Sequence, residues 1–188
     1  SMALYTKTVP KNPNDGDDTL NAVLEVILFQ TEDGDEFVSY ENMPDQVVLI
    51  ETFARQALQM NAQMSRAHAA IGAALFLLGR HDAARTEYLA EPASDFGLTG
   101  LAVVEHRLGN EQSARDAFAK IEEEGARLRY QQAQVLAQWG QLDAAITRLQ
   151  QARAIGDSGL VYARNDPLLD PLRGDPRFAE LLKSIGFE

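Results

Sequence analysis

Three observations predict an all-α chain built as a solenoid of antiparallel helix pairs, closed by a C-terminal capping helix. One stretch returns three times: Gly79-Arg80-His81-Asp82-Ala83-Ala84-Arg85, then Gly109-Asn110-Glu111-Gln112-Ser113-Ala114-Arg115, then Gly140-Gln141-Leu142-Asp143-Ala144-Ala145-Ile146. Its glycines lie 30 and 31 residues apart, a period of the size that stacked supersecondary units require. Apolar side chains recur at helical spacing on both sides of each glycine, so each unit reads as a helix, a tight turn and a second helix.

From the start of the chain, residues 1–17 read as an extended lead-in, with Lys11-Asn12-Pro13-Asn14-Asp15-Gly16-Asp17 rich in turn formers. Residues 18–188 read as one domain. Asp18 or Thr19 caps a helix in which Leu20, Val23, Leu24, Ile27 and Leu28 share a face. The apolar, partly β-branched run Val23–Phe29 keeps a strand open as the rival there. Residues 31–43 form an acidic loop. Asp33, Asp35 and Val38 match three positions of a calcium-binding EF-hand loop, but Thr31, Glu36 and Asn42 stand where Asp, Gly and Glu are needed, so a solvated loop is expected. Pro44 suits the first turn of the next helix, which buries Val47, Ile50, Phe53, Ala54, Ala57 and Leu58 and ends near Asn61. Residues 18–61 then count as a degenerate repeat before the regular ones.

The regular repeats span 65–94, 95–125 and 126–156. In the first, Ile71, Leu75 and Leu78 form one face of the leading helix. Gly79 falls where a helix end wants the left-handed conformation that only glycine adopts cheaply. Asp82 places a carboxylate in the first turn of the second helix, whose Ala84 and Tyr88 face inward. Gly72, Ala102 and Ala133 each stand seven residues before a turn glycine. Small residues there let two helices approach closely, and Ala84, Ala114 and Ala145 answer from the second helices. A helical glycine costs about 1 kcal/mol relative to alanine, so Gly72 makes sense as a packing contact.

Residues 157–188 form the cap. Residues 154–163 read as a short helix or turn. The Asp-Pro pairs at Asp166-Pro167, Asp170-Pro171 and Asp175-Pro176 each offer an N-cap followed by proline at the first helical position. The last starts a helix with Phe178, Leu181, Leu182 and Ile185 on one stripe, suited to covering the exposed end of a solenoid.

Composition narrows the function. The 188-residue chain carries a net charge of −11, with 11 acidic and 3 basic side chains in residues 1–64 and 17 and 14 in residues 65–188. That balance opposes binding to nucleic acid or to an anionic membrane, both of which need clustered Lys and Arg. No cysteine is present, which removes disulfides and thiolate metal ligands and favours a reducing compartment. With no long apolar span and no signal-peptide pattern, a soluble, cytoplasmic chain is expected.

Catalysis finds little support. His68, His81 and His106 share no metal-ligand spacing on one helix, no glycine-rich phosphate loop follows a strand, and no serine stands in a nucleophile elbow. No enzyme, metal or cofactor is expected.

The repeat resembles the tetratricopeptide repeat (TPR) on Gly72/Ala102/Ala133, the turn glycines, Ala84/Ala114/Ala145 and Tyr88/Phe118/Leu149. It departs in its shorter period and in Gln132, where an apolar residue is expected. The C-terminal segment is similar to the ending of TPR arrays in bacterial multidomain regulators. The resemblance implies a right-handed array whose leading helices line a concave groove for a peptide or protein partner. Carried over by register, the groove would hold Arg66, Ala69, Ala73 and Phe76, then Thr99, Val103, His106 and Arg107, then Arg127, Tyr130, Gln134 and Gln138. Its arginines would suit an acidic peptide or a C-terminal carboxylate, unless they pair with neighbouring acids. The alternative is self-association, as a homodimer, or a regulatory role within a larger bacterial signalling protein.

Overall fold

The computed structural model describes Arg55 and residues 65–187, and all the regular structure in them is helical. Helices α1 (Ser65–Leu77) and α2 (His81–Leu89) form a first pair, α3 (Asp95–Arg107) and α4 (Glu111–Glu123) a second, α5 (Arg129–Gln138) and α6 (Leu142–Ile155) a third. Two 3-10 segments follow, Ser158–Tyr162 and Pro167–Leu172, and then α7 (Pro176–Ser184). The helix-or-strand reading of residues 20–30, the acidic loop and the helix opened by Pro44 lie outside the described residues, except that Arg55 is helical.

The three turns are built identically. Gly79, Gly109 and Gly140 have φ of 71°, 79° and 75°, the left-handed region expected for them. Each glycine N–H bonds the carbonyl three residues back, and the next N–H reaches five residues back. The pairs are Gly79 to Phe76 and Arg80 to Leu75, Gly109 to His106 and Asn110 to Glu105, Gly140 to Ala137 and Gln141 to Leu136. These bonds satisfy the carbonyls that a helix end leaves orphaned. The carbonyls of Arg80, Asn110 and Gln141 then accept the N–H of Ala84, Ala114 and Ala145, which starts the second helix of each pair.

Packing runs within pairs and between them. The members of each pair pack together, and α1 lies against α3, α3 against α5, and α5 against the 3-10 segment Pro167–Leu172. The small positions are interior as expected: Ala84, Ala102, Ala114, Ala133 and Ala145 are fully buried. A Cβ on Gly72 would lie 2.7 Å from the Tyr88 ring, and one on Gly100 only 2.1 Å from it. The ring of α2 therefore fills a slot made by two glycines on α1 and α3. Burial also pushes the Tyr88 phenol well above its ordinary pKa.

Gln132, the polar departure from the repeat, is fully buried and satisfied. Its Nε2 donates to the carbonyls of Gly125 at 3.1 Å and Ile121 at 3.3 Å, while its Oε1 accepts from Arg129 at 2.7 Å. It ties the start of α5 to the end of α4, which a leucine could not do.

At the C-terminal end, Asp166 and Asp175 cap as expected, each accepting a backbone N–H at 2.9 Å, from Leu168 and Arg177. Asp170-Pro171 does not begin a helix. It lies inside the Pro167–Leu172 segment, and Asp170 instead holds Arg173 at 2.5 Å. Leu160, Ala163, Leu169, Leu172, Phe178 and Leu181 join α5 and α6 in one buried cluster, so the segment completes the core.

The candidate interaction face

Two rows of candidate residues, Thr99/Val103/Arg107 on α3 and Tyr130/Gln134/Gln138 on α5, stand 31 residues apart at matching positions. Both were expected to line an open groove. The structure buries Thr99, Val103 and Tyr130 and ties Gln134 and Gln138 to the C-terminal segment.

The α5 row is committed to the C-terminal segment. The Tyr130 hydroxyl and the Gln134 amide both donate to Asp166 Oδ2 at 2.6 Å, while Asp166 Oδ1 accepts the Leu168 N–H. Gln138 Nε2 donates to the Leu168 carbonyl at 2.9 Å. Burial pushes the Asp166 carboxyl above its ordinary value, and the bonds from Tyr130, Leu168 and Gln134 pull against that rise. The Tyr130 phenol, buried and facing this carboxylate, is pushed far up. Tyr130 is 3% exposed and presents no surface to a partner.

On the α3 row, Arg107 is the residue that reaches sideways. Arg107 Nη2 donates to Gln138 Oε1 at 3.1 Å, so α3, α5 and the C-terminal segment are strung on one line of hydrogen bonds. Val103 is 1% exposed, and Thr99, at 4%, turns its hydroxyl back to the Asp95 carbonyl at 2.7 Å. On α1, Phe76 is buried with its ring 5.2 Å from that of His81, and Ala69 is buried while Ala73 is partly so. The expected open lining at Phe76, Thr99, Val103 and Tyr130 is thus interior. The side chain of Arg66 lies outside the described part of the chain.

What remains accessible is the rim. Arg107 and Arg127 are exposed, and His106, Gln134 and Gln138 are partly so. Arg127 grips both Asp95 oxygens, at 2.7 and 3.0 Å, and Glu124 at 2.9 Å; these bonds push its pKa higher still. Its charge is compensated within the chain. His106 Nδ1 lies 2.9 Å from Glu111 Oε1, an ion-pair distance whose alignment is too poor for a hydrogen bond. The His106 ring stacks at a tilt on Trp139, which donates to the Ala102 carbonyl at 3.1 Å and also meets Phe118. Arg107 is the cation of this rim whose bonded partner is a neutral amide.

Two buried acids beside these rows, Asp166 and Glu105, hold elements together, a role that spacing alone did not assign to them. Glu105 is buried and accepts from Arg85 at 2.6 Å and Asn110 at 2.7 Å, locking α2 to the turn of the second pair. A charged residue on the inward side of an apolar helix is the signal that points to it.

Among the described residues, no group of three or more His, Asp or Glu side chains is placed to hold a metal ion. No described helix is long and apolar enough to cross a membrane. Comparison with family models, with curated proteins and with solved structures finds no match.

Proposed function

We propose that the chain is a non-catalytic protein–protein interaction module of the tetratricopeptide type. Its helical hairpins stack as a right-handed solenoid, and the rim of the leading-helix face holds a peptide or protein partner. The observation that supports this reading is the unit-to-unit packing of α1 on α3 and α3 on α5, with identical glycine turns closing every pair. Arg107, exposed beside His106 and hydrogen-bonded to the neutral amide of Gln138, is the side chain suited to a partner carboxylate. Affinity for a short peptide would be on the order of micromolar, about −8 kcal/mol. A cytoplasmic location belongs with the same reading.

The test is affinity capture from the native host lysate, wild type beside Arg107→Glu. Loss of the captured partner with an unchanged melting temperature supports the rim assignment; an identical set of captured proteins rejects it.

A second reading is favoured by one observation. Ile155, at the end of α6, and Val161 and Tyr162, in the 3-10 segment that follows, are large apolar residues left 53%, 62% and 40% exposed. Exposed apolar side chains of this kind fit self-association, or packing on another domain of a larger bacterial signalling protein. Light scattering across a concentration series decides the first of these, and a constant monomer mass rejects it.

A further inference from the structure

We draw no further inference here: the strongest candidate, the surface groove of about 460 Å³ between α4 and α6 floored by Phe118, Leu136 and Ala144 with Glu122 and Arg148 paired on its edge, carries nothing because nothing in the structure shows what covers it.

Discussion

The Tyr130 hydroxyl donates to the Asp166 carboxylate at 2.6 Å, and both side chains are buried. This bond, between residues 36 positions apart, seats the C-terminal segment on α5 and gives a buried acid one of its donors. Removing a donor from a buried charged acceptor leaves part of its desolvation uncompensated. Tyr130→Phe should therefore cost about 1–3 kcal/mol, read as a lower urea midpoint with little change in slope. A midpoint equal to wild type would mean that Asp166 is hydrated in solution.

The same carboxyl gives a pH signature. Its folded pKa lies above the ordinary 3.8, so between the two values the folded chain holds the proton more tightly than the unfolded chain. The contribution is full below 3.8 and is lost as pH rises through the folded value. The stability of wild type minus that of Asp166→Asn should thus fall as pH climbs from 3.8 and level off above the folded pKa. A difference that grows with pH across this window would assign Asp166 the opposite shift.

Tyr88 between Gly72 and Gly100 predicts overpacking when either glycine gains a side chain. Gly100→Ala and Gly72→Val should each destabilise by roughly 1–3 kcal/mol, because the ring they meet is enclosed. Combined with Tyr88→Leu, the Gly100→Ala cost should shrink. Strict additivity in that double-mutant cycle would mean that the ring does not sit against α3.

The turn glycines predict a different kind of loss. A Cβ at Gly109 would meet nothing within 4 Å, so only backbone strain opposes it. Gly109→Ala should cost about 1–2 kcal/mol, the penalty of a left-handed L-residue, with similar costs at Gly79 and Gly140. Thermal melts of the three variants check this. A neutral Gly109→Ala would mean that the α3–α4 turn is not left-handed.

The hairpins were legible because their cause is local. A glycine at a helix end and small residues seven positions earlier state a turn and a close approach without reference to the rest of the chain. The use of the leading-helix rows was not legible. Whether Tyr130, Gln134 and Gln138 face a groove or the next unit depends on how far each helix is rotated about its axis, and a carried-over register does not determine that. Gln132 shows the same limit: a buried amide is acceptable only because the Ile121 and Gly125 carbonyls and Arg129 converge on it. Tyr88 was expected to face inward, but its reach across to Gly100 belongs to the tertiary packing.

Pairing and recognition separate most directly when Gln134→Ala and Arg107→Glu are compared, scoring each for melting temperature and for partners captured from host lysate. Gln134→Ala strips a second donor from Asp166 and should lower the melting temperature while leaving the captured proteins unchanged. Arg107→Glu, at an exposed position, should leave the melt within about 0.5 kcal/mol of wild type and lose the partner. The reverse pattern, with Gln134→Ala losing the partner at full stability and Arg107→Glu keeping it, would contradict the proposal that Gln134 holds the C-terminal segment and Arg107 meets a partner.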